Sequence, residues 1–284
     1  MKKIIKPHSS IASFTCATLA ITTALVWTSA DAATLNAPSS GTFTMNLDRS
    51  ALTPYYGYFL STFWDTAASN PSNPTNTGNY LVGNIATTEI PAVNRVFDLA
   101  PIGSDPVNQP VQRFVKATSA GFSIDSDTLA GVSNTQIGMT GVQGFYAPLW
   151  PPSGGGVLNG DFSVVYDASR QSSGQTGWYL ANNIYFTMAV YDFSNLSIAF
   201  TDANNWRFSG DLLMSPENGG MLQGASLNDV GDFCLGTGSY AGCGQVSSVP
   251  VPAAIWLFGS GFLGFAGIAN RKRQHSSTLK KEQL

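Results

Sequence analysis

Between Ala33 and Ser248 the chain contains no histidine, since both of its histidines, His8 and His275, lie near the ends. That absence excludes a Ser-His-Asp or Cys-His catalytic arrangement from the segment. It also excludes an ordinary catalytic zinc centre and histidine-ligated haem. Positive charge is nearly as scarce. Of 14 Lys and Arg, eight (Lys2, Lys3, Lys6, Arg271, Lys272, Arg273, Lys280 and Lys281) fall outside 33–248, against two of 17 acids, Asp31 and Glu282. Six cations and fifteen acids remain inside, a net charge of −9. Such a surface repels phosphate backbones, so nucleic acid is not an expected partner. Lys116 is the only lysine of this segment, and no Gly-rich phosphate loop precedes it. Cysteine is sparse too: Cys16, Cys234 and Cys243.

What is present at the two ends says where the chain goes. Lys2, Lys3 and Lys6 form a positive start, an apolar stretch runs from Ile11 to Trp27, and Ala30-Asp31-Ala32 has the small-x-small form of a signal-peptidase site. This is the pattern of a secretory signal peptide over 1–32, with Ala33 as the first mature residue. Toward the other end, Ala253 to Ala269 carries no charge. As a helix these residues span roughly 25 Å, enough to cross a membrane when the apolar Val249–Pro252 flank enters the interface. Arg271, Lys272 and Arg273 follow immediately, and such a cluster stays on the cytoplasmic side.

Val249-Pro250-Val251-Pro252-Ala253-Ala254, then Trp256, Gly259 and Gly261 within a Leu/Gly/Phe/Ala helix, then Arg-Lys-Arg, resembles the PEP-CTERM sorting signal. That tail occurs on exported proteins of Gram-negative bacteria that make exopolysaccharide. The resemblance covers about the last 25 residues before Arg273, with Val251 standing where the name-giving motif has Glu, as in a Val-Pro-x-Pro variant. It implies recognition by an exosortase-type membrane enzyme, cleavage near the proline motif, and release or transfer to the cell surface or extracellular matrix. The expected organisation is a signal peptide (1–32), a body (33–248, with 33–80 a candidate N-terminal subdomain), a sorting signal (249–273, its transmembrane helix at 253–269) and a polar tail (274–284).

The body reads as all-β, an antiparallel β-sandwich or jelly roll with little helix. Period-2 alternation marks strands at Gly41–Leu47 and in the runs that begin at Val93, Val111, Asp161, Gly177, Leu196 and Asn205, with Gly, Asn, Ser, Pro and Asp clusters between them. One short helix is expected from about Thr53 to Thr66, where Tyr55, Phe59 and Phe63 recur at four-residue spacing. An Asn/Pro stretch, Ala68–Asn79, reads as a loop or subdomain boundary.

Candidate sites are few. Cys234 and Cys243, flanking a Gly-rich stretch, are the natural disulfide of an exported chain. Trp150, ahead of two prolines and three glycines, and Tyr55, Tyr56 and Trp64 are candidate glycan-stacking rings, although the last three suit a core equally well. Asp125 with Asp127, and Asp202 with Asn204, set oxygen ligands at alternate positions, so Ca²⁺ is the one cofactor candidate. For glycan cleavage the body offers only two glutamates, Glu89 and Glu217, with nothing to mark a shared cleft. The expectation is therefore a non-enzymatic cell-surface or exopolysaccharide-matrix structural protein. Its partners would be the exosortase-type enzyme, the inner membrane and extracellular polysaccharide. A carbohydrate-binding or Ca²⁺-dependent adhesive module is the alternative, and a glycan-active enzyme a more distant one.

Overall fold

The computed structural model describes residues 32–64, 77–172 and 175–243, all within the compact unit that begins at Ala32. The signal peptide through Asp31 (Ala30 included), the sorting signal with its 253–269 helix and the polar tail lie outside the described residues. Among the described residues, no helix is long and apolar enough to cross a membrane.

Thirteen strands carry the fold: β1 (Thr34–Asn36), β2 (Gly41–Leu47), β3 (Phe59–Trp64), β4 (Arg95–Leu99), β5 (Ser123–Asp125), β6 (Gln136–Thr140), β7 (Val142–Ala147), β8 (Gly155–Gly160), β9 (Ser163–Tyr166), β10 (Trp178–Asn182), β11 (Met188–Asp202), β12 (Asn205–Met214) and β13 (Asp229–Thr237). The α-helices among the described residues are short, α1 (Arg49–Leu52), α2 (Gly78–Gly83) and α3 (Pro216–Met221), each capped by a side chain on its first amides. The all-β expectation holds. In place of two open layers, eight strands form one closed antiparallel ladder in the order β10-β11-β12-β13-β2-β4-β6-β9, while β3-β7-β8 form a separate three-stranded sheet.

Closure follows from what the inward positions carry. In register, Phe43 of β2 lies opposite Phe97 of β4 and Leu235 of β13, and Phe233 lies opposite Met45. The rings meet at the axis: Phe193 stacks on Phe233 with centroids 3.9 Å apart, Phe43 lies 5.6 Å from Phe233, and Phe97 meets Phe162 edge-on at 5.2 Å. Eight strands leave an interior just wide enough for side chains, and here rings fill it. The β1–β5 pair covers two indoles. Trp206 donates to the Asn36 carbonyl at 3.1 Å, Trp178 donates to Leu129 at 2.7 Å, and Phe122 packs against both rings.

Three local expectations are corrected. The 33–80 segment is no separate subdomain, because β2 pairs along its whole length with β13, nearly two hundred residues away. The expected Thr53–Thr66 helix is a turn followed by β3 through Trp64; a bulge between Leu60 and Thr62 sets Phe59 and Phe63 on opposite faces, Phe59 against Tyr146 and Phe63 against Phe97. The run from Val111 is not a strand either; its strand-type pairing is limited to isolated bridges, Arg113 to Ile184 and Thr118 to Ile102.

Candidate functional site

On the barrel's flank, β8, α2, α3, the start of β11 and the 183–187 connection enclose a cavity of about 170 Å³. Its wall is formed mainly by Trp150, Val157, Tyr185, Phe186, Met188 and Met221. Two of its rings are placed by backbone hydrogen bonds. The Trp150 amide donates to the Ala147 carbonyl at 3.1 Å and its carbonyl accepts from Gly154 at 2.6 Å, pinning the indole where it stacks on Tyr56, with centroids 5.5 Å apart. Tyr185 sits in the left-handed region, φ 62°, its amide donating to Gln112 and its hydroxyl to Asn79. Phe186 is 53% exposed at the mouth.

Beneath this wall lies a polar frame. Arg113 grips Asp161 with two charge-assisted hydrogen bonds, Nε to Oδ2 at 2.7 Å and a terminal nitrogen to Oδ1, and both side chains are buried. Burial pushes the Asp161 carboxyl above its ordinary value, and the Arg113 guanidinium works against that rise. Asn183 donates to the Asp161 carbonyl, and Asn182 donates to the carbonyls of Ile184 and Phe186, so the connection bearing Tyr185 and Phe186 is tied down on both sides. The amides lining the cavity are engaged within the fold, since Asn159 donates to the Tyr58 hydroxyl and Asn182 accepts from Gly160. What the cavity presents is ring faces and thioethers, without a carboxylate, thiol or ammonium among its lining residues.

The glycan-stacking candidates separate. Trp150 and Tyr56 come together at the cavity's edge. Tyr55 is fully buried, its hydroxyl donating to the Ala225 carbonyl at 2.6 Å. Trp64 packs against Leu81, Val142, Leu158 and Ile184. Tyr185, Phe186 and Met188 were absent from the sequence candidates because their run reads as continuous strand.

The carboxylates are also accounted for. Asp125 accepts from the amides of Asp127 and Thr128 and from the Thr128 hydroxyl, and Asp202 accepts from the amides of Asn204 and Asn205. These are turns closed by a side chain, and their hydrogen bonds hold both carboxyls below the ordinary value. Among the described residues, no group of three or more His, Cys, Asp or Glu is placed to hold a metal ion. Glu89 is taken by Arg49 at 2.9 Å. Glu217 is taken by Arg170 at 2.6 Å, and that guanidinium also binds the buried Asp192 and lies over the Tyr179 ring. Cys234 and Cys243 are disulfide-bonded, tying β13 to the turn after it. Comparison with family models, curated proteins and solved structures gave no match.

Proposed function

We propose that this chain is an exported structural protein of the cell surface or exopolysaccharide matrix of a Gram-negative bacterium, delivered through the inner membrane and processed by an exosortase-type enzyme. The observation that carries the reading is the ordered tail: Val249–Ala254, an uncharged helix-length stretch, then Arg271-Lys272-Arg273. The Cys234–Cys243 bond supports it, since disulfides persist in oxidising compartments. Six cations against fifteen acids in 33–248 suit a solvated, non-enzymatic body. Intact mass on protein from culture supernatant and from washed membranes tests this. A supernatant species that begins at Ala33 and ends near Pro250–Pro252 is the expected result. A full tail, held only in membranes, rejects processing.

A second reading rests on the flank cavity. The half-buried Trp150–Tyr56 stack at the cavity's edge and the exposed Phe186 on the same cavity suit the apolar faces of sugar rings, making the body a carbohydrate-binding module. Titrating matrix polysaccharides while following tryptophan fluorescence, with and without Ca²⁺, should give a saturable change that Trp150→Ala removes. An unchanged signal at saturating polysaccharide counts against it.

A further inference from the structure

The barrel wall is closed along the first half of β11 and open along the second. Tyr179–Asn182 of β10 pair with Met188–Asp192, and the Phe193 carbonyl accepts from the Thr176 hydroxyl. Beyond this point, among the described residues, β11 keeps only β12 beside it, through a bulge between Ser194 and Ser197 and on to the pair Phe200 and Trp206. The direction of its remaining backbone groups follows from strand alternation. The Trp206 amide points to β13, where it donates to the Thr237 hydroxyl. The facing residue Phe200 therefore turns its own N–H and C=O away from β12, and Ile198, two residues earlier and facing Phe208, does the same. Among the described residues no donor or acceptor meets these four groups.

Natural edges are usually blunted by a charge, a proline or a covering loop. From Phe193 to Thr201 the sequence FSNLSIAFT has no charged residue and no proline. Leu196 and Ile198 are half-buried, and Phe200 is 40% exposed.

We propose that this edge is a self-association surface and that its occupant is the same strand of a second copy, antiparallel across a two-fold axis at Ala199. The argument is one of complementarity. With Ala199 opposite its mate, Ile198 of each copy faces Phe200 of the other. Each such pair exchanges two N–H···O bonds, so all four orphan groups of each copy are satisfied. Ala199 then forms the central non-hydrogen-bonded pair, in which Cα atoms approach to about 4.5 Å, and its single methyl permits that approach. The side chains of Ile198 and Phe200 pack against Phe200 and Ile198 of the mate, covering the exposed ring. A register with its axis moved to Ile198, away from the turn, loses this match, because it sets Phe200 against the bulge at Leu196. The charge pattern favours the same seam. A body of net −9 repels its copies over most of its surface, and this uncharged stretch lets two of them meet. A two-fold contact of this kind closes as a dimer and does not propagate. The proposal is independent of how the tail is processed.

The test uses the full chain as recovered from producing cells, with intact mass read on the same sample so that tail processing is scored separately. Sedimentation velocity should show a species of twice the chain's mass. Ala199→Glu leaves the β11–β12 hairpin able to form, since Arg207 lies opposite, but sets two carboxylates face to face at the axis; it should give monomer with an unchanged far-ultraviolet spectrum. Ile198→Pro removes the outward N–H, which an edge tolerates, along with a half-buried side chain, and should give monomer with an unchanged far-ultraviolet spectrum. Ala199→Cys should form an intermolecular disulfide on mild oxidation, because the Cα separation lies within disulfide range, whereas Ser197→Cys, which faces Thr201 of the mate, should not. Monomer at every concentration, a dimer that survives Ala199→Glu, or cross-linking of Ala199→Cys only to other proteins would each overturn the proposal.

Discussion

The barrel interior and the flank cavity are both built from aromatic side chains, yet they are held by different forces. In the interior, Phe43, Phe193 and Phe233 are buried and pack ring against ring, so that dispersion and removal of apolar area from water are the main terms. On the flank, the Phe186 ring is exposed and those of Trp150 and Tyr185 are half-buried, and hydrogen bonds beneath them add to their packing: Arg113 to Asp161, Asn182 to two carbonyls, the Tyr185 amide to Gln112. Mass fixes the first region, and polar geometry helps to fix the second.

Removing mass from the interior should therefore be the most damaging change. Phe233→Ala leaves a cavity between the stacked rings of Phe43 and Phe193 and the edge-on ring of Phe208, and should cost about 3–5 kcal/mol, measured by denaturant unfolding. Breaking the frame should rank close behind. Arg113→Met strands a buried carboxylate and should cost on the order of 3 kcal/mol at neutral pH. Because the Asp161 carboxyl is already raised by burial, losing its partner raises it further, and the folded state then takes up a proton more readily than the unfolded one. The loss should shrink as pH falls through that raised value, and Asp161→Asn on the Arg113→Met background should recover part of it at neutral pH. An equal cost at all pH values would show that the arginine acts through packing alone.

Opening the Cys234–Cys243 bond with paired Cys→Ala substitutions should cost about 2–3 kcal/mol on the loop-entropy view. Thermal unfolding checks this, and the flank rings should not move. The smallest effect belongs to Glu217, which with Arg170 anchors α3 and through it Met221 in the cavity wall. Its hydrogen bond from Arg170 holds the carboxyl below the ordinary glutamate value. That stabilisation is present above the unfolded value and is lost as pH falls through the lowered one. With the side chain 40% exposed, screening keeps Glu217→Gln to about 0.5 kcal/mol at neutral pH. Melting curves of the two proteins should converge in acid. Asp192, on the same guanidinium, is shifted the opposite way by burial and does not contribute to that convergence.

Several strands were readable from alternation alone. Gly41–Leu47 matches β2 residue for residue, and the runs from Asp161, Gly177 and Asn205 fall on β9, β10 and β12. The short strands β1 and β5 escaped notice, and so did four that contain glycine, β6, β7, β8 and β13. Glycine reads as a turn residue in one dimension, yet in these strands it marks close approach. A Cβ at Gly138 would lie 1.6 Å from the Lys116 carbonyl oxygen, and one at Gly236 would lie 2.0 Å from that of Tyr240. The runs from Gly177 and Leu196 gave no sign that β11 is one strand of 15 residues extending past its neighbour. Among the stacking candidates, composition could not separate Tyr55, which the core claims, from Tyr56, which turns out to Trp150 at φ 55°.

The sequence by itself determined the properties that depend on composition and local order. These are an all-β body with a negative balance, the absence of histidine chemistry from it, and a cysteine pair close enough in the chain to bond. Each is a count or a short-range pattern, so no partner in space is needed to read it. Tertiary structure alone decided that the ladder closes, which aromatic rings are sealed and which stay open, and where β11 is left with one neighbour. Those outcomes depend on contacts between residues up to two hundred positions apart, such as β2 with β13, and strand alternation specifies which face of a strand is buried but not which strand lies beside it.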